Sequence, residues 1–343
     1  MLRDALLTLL LCASVAQARE PLTLAGHRVA AGTSASFVTQ AGSASLPISV
    51  LHGAHAGPVL TLTAGIHGDE FPAIFALQRL RAAIDPGELH GSLVLVHLAN
   101  LAGFHARRIA LSPVDEKNLN RVFPGRADGT QTEQIAHFLT TEVIGLSDYL
   151  IDLHSGSANQ RLWPHVYAPV IDDPALDART LAFARATGLR HIVLYGERPR
   201  DPANSISYPN TAQTRGKPGL TLEVGHLGQR DEASMARILT ACRQAMRHLH
   251  MIPGPAAASE GVTLYRKLHA VASPATGLFE PATDVGETVG KGALLGRVTD
   301  YFGAPLAELR APLRGIVLML NDTPPITLGE TPVTLGEWVT TAD

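Results

Sequence analysis

The sequence predicts an α/β fold, with a mixed, mostly parallel sheet flanked by helices and a small all-β domain at the C-terminus. Between residues 58 and 250, short apolar runs alternate with segments of helical length, a pattern typical of a sheet with helices on both faces. From Gly261 onward, Gly and Pro interrupt short strand-like runs every few residues, which favours an all-β module. The stretch I-P-G-P-A-A-A-S-E, beginning at Ile252, predicts a linker. We therefore divide the mature chain into domains 19–254 and 255–343.

The elements of the first domain can be assigned in chain order. Residues 20–58 are predicted to form short strands and turns that lead into the main sheet. The strands and helices that follow are distinguished by the length and periodicity of their apolar runs. The predicted strands are 59–64, 92–99, 149–153, 191–195 and 220–224, and the predicted helices are 71–83, 132–144, 174–187 and 232–250.

The first eighteen residues, MLRDALLTLLLCASVAQA, have the features of a secretory signal peptide. Arg3 supplies a short basic region, residues 5–16 an apolar core, and A-Q-A, ending at Ala18, a cleavage site. A membrane anchor or a buried N-terminal helix is the alternative, but the apolar run is short for a bilayer span. Cleavage would remove Cys12 and leave Cys242 alone, so no internal disulfide is expected. The mature protein is predicted to be periplasmic or secreted.

The composition excludes some classes of partner. With 45% hydrophobic and 17% charged residues, the chain has the make-up of an ordinary soluble globular protein. Its formal net charge of −3, without a basic stripe of interleaved aromatic residues, gives no reason to expect nucleic acid or an anionic membrane surface as partner. A small-molecule substrate is the remaining expectation, and the oligomeric state is left open.

Two motifs at strand ends predict a metal site. In T-A-G-I-H-G-D-E-F-P-A-I, residues 63–74, His67 and Glu70 lie at a strand-to-helix turn, and in Y-L-I-D-L-H-S-G, residues 149–156, His154 follows a buried strand. Ligands of open α/β sheets bind at the carboxyl ends of the strands, and two His with one Glu are a known zinc set. Each residue alone is more simply a structural histidine or a helix-cap interaction. Together they favour a metal.

Two further motifs predict groups that act on a substrate. N-L-N-R-V-F-P-G, residues 118–125, places Asn120 beside Arg121 in a loop, and arginine binds carboxylates in a bidentate manner. In L-T-L-E-V-G, Glu223 ends an apolar strand, where a carboxylate is costly unless it is paired or functional. A carboxylate beside a metal-bound water suits a general base.

The ordered motifs G-x-H-G-x-E, N-L-N-R-x-F-P-G, D-L-H-S-G and L-E-V-G resemble those of the succinylglutamate desuccinylase/aspartoacylase family, which is similar to the zinc carboxypeptidases in fold and metal site. The resemblance covers about residues 58–250. It implies one zinc ion per chain, and it implies the role of each motif residue. The zinc ligands would be His67, Glu70 and His154, the base and proton shuttle Glu223, and the groups that bind the substrate carboxylate Asn120 and Arg121.

The resemblance also implies an arginine that polarises the scissile carbonyl. The candidates are Arg107 and Arg108 in F-H-A-R-R-I-A-L; we assign Arg107 to this role and Arg108 to substrate binding. Aspartoacylase-like members carry a further arginine ten residues before the catalytic glutamate. Here that position is Gln213, with Arg215 close by, so N-acetylaspartate is not the expected substrate.

The C-terminal module resembles biotinyl and lipoyl domains of the barrel-sandwich type. Their modified lysine follows a Thr-Asp pair, whereas here Thr299-Asp300 is followed by Tyr301 and Phe302, so a carrier domain is not expected. The family resemblance implies a domain that narrows the active-site entrance. A role in stability or dimerisation is the alternative.

The sequence therefore predicts a zinc-dependent amide hydrolase that releases an acyl group from an N-acyl amino acid or a related small carboxylate-bearing amide. An exported zinc carboxypeptidase acting on peptides or cell-wall peptides would use the same residues and is the first alternative. The second is a binding or scaffold protein that retains fold and zinc, and Glu223 argues against it because a pure binder has no use for that carboxylate.

Overall fold

The computed structural model describes residues 19–196, 198–257 and 261–339. The predicted signal peptide, residues 1–18, and its Cys12 lie outside these residues. Within them, no helix combines the length and apolarity needed to cross a membrane. Cys242 is buried and has no disulfide partner in the described part of the chain.

The described residues form nineteen strands and six α-helices. The strands are β1 Leu22–Leu24, β2 His27–Val29, β3 Thr33–Ala41, β4 Ala44–His52, β5 His55–Ala64, β6 His90–Val96, β7 Tyr149–His154, β8 Gln160–Leu162, β9 His165–Pro169, β10 His191–Tyr195, β11 Gly219–Glu223, β12 Thr263–Val271, β13 Gly277–Pro281, β14 Thr288–Val289, β15 Leu294–Thr299, β16 Pro305–Arg310, β17 Gly315–Asn321, β18 Pro325–Ile326 and β19 Val333–Trp338. The helices are α1 Phe71–Ala83, α2 Leu101–Ala106, α3 Gln131–Phe138, α4 Pro174–Ala186, α5 Tyr208–Gln213 and α6 Glu232–His248.

A single mixed sheet organises the molecule. Its order is β3-β4-β6-β5-β7-β11-β9-β10-β12-β19-β17-β14, with β8 paired to β17. Strands β6, β5, β7 and β11 pair in parallel, β9 runs antiparallel to β11, and antiparallel strands lie on both flanks. The predicted mixed α/β fold is confirmed, with parallel pairing concentrated in the centre of the sheet. Because β5, β7 and β11 are parallel, their carboxyl ends meet at one edge.

The central strands are buried on both faces, since successive side chains point to opposite sides of a sheet. On β6, Leu93 and Leu95 pack in a core shared with α1, α4 and α6, whereas Val94 and Val96 pack in a second core shared with α3 and α5. Helices on both faces therefore cover the sheet, as the continuous apolar runs predict.

The C-terminal residues continue this sheet across the predicted boundary near residue 255. Strand β12 pairs in parallel with β10, with Ile192 opposite Leu264, and β17 pairs with β8, with Met319 opposite Leu162. The strands β16, β15, β13 and β18 form a separate four-stranded sheet. Residues 261–339 contain strands and no helix. The all-β character was predicted from composition, but the shared sheet was not.

Gly68 fixes the turn between β5 and α1 through close packing. A Cβ atom at this position would lie 2.1 Å from the backbone nitrogen of Phe104 and 2.3 Å from the carbonyl carbon of Gly103, both in α2. These are backbone atoms, so the overlap can be relieved only by moving the turn or the helix.

We expect Gly68→Ala to lower the free energy of unfolding by about 1–3 kcal/mol, the usual range for overpacking. The matched control is Gly145→Ala, because Gly145 is helical and has nothing within 4 Å of its added Cβ atom; alanine there is expected to be neutral or stabilising. Urea unfolding of both variants measures the difference, and equal stability would contradict the packing argument.

Candidate active site

A cavity of about 340 Å³ lies at the carboxyl edge of β5, β7 and β11. Its walls come from the strand ends, from loops that follow them, and from one C-terminal strand. The residues that line it include His67, Glu70, Asn118, Asn120, Arg121, His154, Ser157, Tyr167, Tyr195, Arg198, Glu223 and Met319. All the motif residues except Arg107 and Arg108 are therefore brought together.

The three residues predicted as metal ligands converge inside this cavity. His67 Nδ1 lies 2.7 Å from Glu70 Oε1, and His154 Nδ1 lies 2.8 Å from Glu70 Oε2. The potential ligand atoms of the three side chains are all within 4.8 Å of one another. The triad is therefore arranged as a group that could hold a metal ion.

The contacts behind the triad orient both imidazoles. His67 Nε2 lies 3.2 Å from Asn118 Oδ1, an oxygen that also accepts a hydrogen bond from the Asn120 backbone N–H. His154 Nε2 lies 2.8 Å from Asp152 Oδ2, and the Asp152 side chain is fully buried. Both Nε2 atoms therefore face acceptor oxygens, and both Nδ1 atoms face Glu70.

This arrangement fits a cation. Two imidazole nitrogens face the oxygens of one carboxylate, and a proton or a metal ion has to lie between each nitrogen and the oxygen, because two lone pairs would repel one another. Burial favours a neutral Glu70, but His67 and His154 hold its pKa well below the usual value. Burial likewise disfavours charged His154, but Asp152 and Glu70 raise its pKa well above the usual value. The donor set of two imidazoles and one carboxylate is suited to zinc.

Glu223 lies beside the triad at the end of β11. Its backbone is paired with that of His154 on β7, so both side chains reach the same cavity. Burial raises the pKa of Glu223, and the negative charges of Glu70 and Asp152 raise it further. The positive charges of His154 and Arg121 lower this pKa but do not cancel the increase. A carboxylate with a raised pKa is better suited to accept and return a proton near neutral pH.

Asn120 and Arg121 occupy a short helical turn, Leu119–Arg121, on the cavity wall. The Asn120 side chain accepts a hydrogen bond from the Tyr208 backbone N–H at 2.9 Å and donates one to Asp152 Oδ2 at 3.3 Å. Asn120 is thereby tied to the group that orients His154. Arg121 donates one hydrogen bond to the Asn120 carbonyl at 2.8 Å.

Arg107 and Arg108 lie outside the cavity wall, which is formed instead by the next two residues, Ile109 and Ala110. Arg107 ends α2 in a left-handed conformation, with φ of 53°. Arg108 is exposed and pairs with Glu116. Neither arginine lines the cavity in this structure, and the role of Arg107 in polarising the carbonyl stays a prediction.

Gln213 and Arg215 are also engaged elsewhere. The Gln213 side chain donates hydrogen bonds to the Pro169 carbonyl and to Thr180 Oγ1, and Arg215 donates to the Thr211 and Pro202 carbonyls. Neither belongs to the cavity wall.

Arg198 is a cavity residue that sequence reasoning missed. Its guanidinium carbon lies 3.3 Å from the centre of the Tyr195 ring, a stacked cation–π contact. Burial, together with the charge of Arg121, lowers the pKa of Arg198 to about 10, so the side chain remains protonated at neutral pH. The only signal in the sequence was the polar segment R-P-R-D-P-A-N after β10, which belongs to none of the recognised motifs.

The fold and this site define an α/β protein with a His-Glu-His group of metal-binding type. Residues 56–249 match the family model described as the succinylglutamate desuccinylase/aspartoacylase catalytic domain, and the chain therefore belongs to this family. The resemblance identified from the motifs is confirmed.

Similar proteins of known name agree with this assignment. The N-alpha-acetyl-L-2,4-diaminobutyric acid deacetylase of Halomonas elongata is 29% identical over 304 residues, which cover 87% of each chain. Among solved structures, a succinylglutamate desuccinylase/aspartoacylase from Rhodobacter sphaeroides has a TM-score of 0.80 at 28% identity and covers 89% of this chain and 96% of its own. The product-bound ectoine utilization protein EutE (DoeB) of Ruegeria pomeroyi has a TM-score of 0.78 at 31% identity, with 86% and 89% covered. The first two of these relatives carry the names of amide-bond hydrolases, a deacetylase and a desuccinylase/aspartoacylase, which supports hydrolase activity for this chain.

Proposed function

We propose that the protein is a zinc-dependent deacylase that hydrolyses the amide bond of an N-acyl amino acid. The observation that carries this proposal is the convergence of two imidazole nitrogens and a carboxylate beside Glu223, in a cavity that also contains Arg121 and Arg198. Membership of a family with a deacetylase and desuccinylases supports the same class of reaction.

In the proposed mechanism, the cavity residues have separate roles in metal binding and in proton transfer. His67, Glu70 and His154 would hold the zinc ion, which, when bound, acts as a Lewis acid that lowers the pKa of water and polarises a carbonyl. Glu223 accepts the proton of the attacking water and returns it to the departing nitrogen as the C–N bond breaks. The products are a carboxylate and a protonated amine, because the second proton of the water passes from the new carboxyl group to the amine nitrogen, so atoms and charge balance.

Arg121 and Arg198 hold the substrate carboxylate in this proposal. Both guanidinium groups reach the cavity, and each is close enough to influence charge on its neighbours. A charge-assisted hydrogen bond to a carboxylate supplies affinity and orientation. Among the described lining residues, the only carboxylates are Glu70 and Glu223, both of which have roles at the reacting centre. The cavity therefore suits an anionic substrate better than one with an additional ammonium group.

The exported carboxypeptidase remains the alternative function. The size of the cavity favours a substrate of amino-acid dimensions, and Met319 of β17 closes part of its wall, which is consistent with a C-terminal domain that narrows the entrance. Export to the periplasm or the medium remains a prediction from residues 1–18.

The test is the release of free amine from a panel of N-acyl amino acids and short peptides. The protein would begin at Arg19 and be loaded with zinc, and the Glu223→Gln variant would serve as the blank. Turnover confined to N-acyl amino acids supports the deacylase, whereas turnover of peptides alone would establish the carboxypeptidase. A protein that binds zinc and hydrolyses neither would contradict both enzymatic functions.

We expect Arg198→Ala to lower kcat/KM by about 10- to 100-fold, mainly through KM, because a hydrogen bond to a charged group contributes about 1.5–3 kcal/mol. The matched control is Arg200→Ala, two residues along the same loop, since Arg200 is exposed and pairs with Asp172 away from the cavity. Steady-state kinetics on the best N-acyl substrate measures the effect. An Arg198 variant with unchanged KM would remove this residue from the carboxylate site.

A further inference from the structure

A second, largely apolar groove adjoins the active-site cavity. It has a volume of about 680 Å³ and is formed mainly by the C-terminal strands and their loops. Ile109 and Asn159 line both the cavity and the groove, so the two spaces share a wall. The groove therefore begins at residues that also border the cavity.

The groove is bordered by large apolar side chains that are unusually exposed. Tyr301 is 75% exposed and Ile109 44% exposed, and both line it. Leu328, 69% exposed, lies at the rim, where its backbone N–H donates a hydrogen bond to Thr276 Oγ1. A cluster of exposed apolar side chains next to a catalytic cavity marks a surface that is covered by a ligand.

The charges of the groove define what that ligand can be. No lysine, arginine or histidine is among its described lining residues, and the one carboxylate, Glu330, accepts hydrogen bonds from the backbone N–H and the hydroxyl of Thr327. A ligand group that carries a carboxylate would find no cation there. An aliphatic chain, in contrast, can be covered by Ile109, Leu278 and Tyr301 without loss of any polar contact.

The cavity gives the direction in which the substrate lies. Arg121, Arg198 and Tyr167 line the cavity together with Glu223, and charges within this set of side chains influence the pKa values of its members. Neither arginine lines the groove, whereas the segment from Ser157 to Asn159 borders both spaces, and the Ser157 hydroxyl donates a hydrogen bond to Glu70 Oε1. With the substrate carboxylate at the arginines and the amide at the triad, the acyl group is the part of the substrate on the far side of the amide from the arginines, and the groove, which contains neither arginine, can receive it.

We propose that this groove binds the acyl chain, and that the substrates are N-acyl amino acids with an unbranched aliphatic acyl group longer than acetyl. The inference rests on the proposed deacylase function and specifies its substrate class. It also disfavours acyl groups that end in a carboxylate, such as succinyl, because the groove offers them no positive charge.

The test compares N-acetyl, N-butanoyl, N-hexanoyl, N-octanoyl and N-succinyl derivatives of one amino acid, chosen as the best in its acetylated form. We expect kcat/KM to rise about tenfold from acetyl to octanoyl, since each methylene removed from water favours binding, and to be lowest for succinyl. Tyr301→Ser should remove most of this rise and leave the acetyl substrate unchanged. Phe302→Ser is the matched control, because Phe302 is the neighbouring aromatic residue, is 95% exposed and does not line the groove.

The outcomes separate this inference from the function on which it rests. If the acetyl substrate is hydrolysed but kcat/KM stays constant or falls as the acyl chain lengthens, the groove does not bind the acyl chain. The proposed deacylase function would be unaffected by that result. In a second series, the acyl group is kept constant and the amino-acid side chain is varied. If Tyr301→Ser changes kcat/KM in that series and not in the acyl series, the groove holds the amino-acid side chain, and the proposed direction of the substrate is wrong. Light scattering tests whether this surface binds a second copy of the chain. If Tyr301→Ser changes the molar mass and leaves the preference for acyl-chain length unchanged, the surface is a subunit interface and not an acyl-binding groove. Calorimetric titration of octanoate into the zinc-loaded protein gives a readout without turnover, and weaker binding by Tyr301→Ser than by Phe302→Ser supports the groove.

Discussion

Glu223→Gln is expected to lower kcat by about 10²- to 10⁴-fold, the usual contribution of a general base, while zinc binding is retained. The side chain has nearly the same shape after the substitution, and none of the three proposed ligands is altered. A glutamine amide cannot accept the proton of the attacking water or return it to the leaving nitrogen. Metal analysis, together with steady-state kinetics on the same preparation, measures both halves of this expectation.

Stability provides an internal control for the same variant. Burial raises the pKa of Glu223, so the unfolded state loses this proton at a lower pH than the folded state. The free energy of unfolding therefore falls as the pH rises above the pKa that Glu223 has in the unfolded state. Because Glu223→Gln removes the titrating group, the melting temperature of the metal-free variant at pH 7 should be unchanged or higher. The matched variant is Glu116→Gln on the surface, paired with Arg108, which should retain activity. Full turnover by Glu223→Gln would refute the assignment of the base.

The convergence of His67, Glu70 and His154 could be predicted from sequence because it depends on short-range rules. His67 and Glu70 lie in one turn, and His154 ends a buried strand. The parallel pairing of β5 with β7, in the register of Thr63 with Asp152, brings the two strand ends to one edge. Alternating strands and helices indicate such a parallel centre, so the proximity of the three side chains follows from pattern alone.

Arg198 could not be predicted in the same way. It follows β10, and that strand is separated from β11 by β9, which runs antiparallel to β11. The position of the loop after β10 thus depends on where β9 lies in the sheet, between β10 and β11, and no local sequence pattern shows that strand order. The expectation for Arg107 depended on motif order, which does not specify the direction of a side chain at a left-handed helix end.

The C-terminal residues illustrate the same limit at a larger scale. Their Gly and Pro pattern predicts short strands, because turn residues act locally. The pairing of β12 with β10 and of β17 with β8 joins segments distant in sequence, and a backbone edge carries no composition signal for its partner. This pairing places Met319 in the active-site wall and the apolar groove beside it.

His154→Ala is expected to remove the metal and the activity together. The substitution deletes one of three proposed ligands and leaves the buried carboxylates of Glu70 and Asp152 without the imidazole that lies between them. Two buried carboxylates that each lose a hydrogen-bond partner oppose folding at neutral pH, so some loss of stability is also expected. We expect zinc to fall from about one equivalent to near zero after dialysis and kcat/KM to drop by at least about 10³-fold, because the Lewis acid supplies several kcal/mol of transition-state stabilisation.

A matched histidine distinguishes ligand loss from a general loss of structure. His97→Gln alters a largely buried imidazole whose Nε2 contacts Ser49 Oγ at 2.8 Å on the antiparallel flank of the sheet, away from the cavity. This variant should keep the full zinc content and turnover, even if its melting temperature falls. Asp152→Asn tests the contact behind the ligand: with the carboxylate gone, His154 loses its charged acceptor, and the zinc affinity should fall by about 10- to 100-fold with one equivalent still bound at saturation. A His154→Ala protein that retains one equivalent of zinc would show that the ion is held elsewhere, and the geometry of the triad would then have to be explained by proton sharing alone.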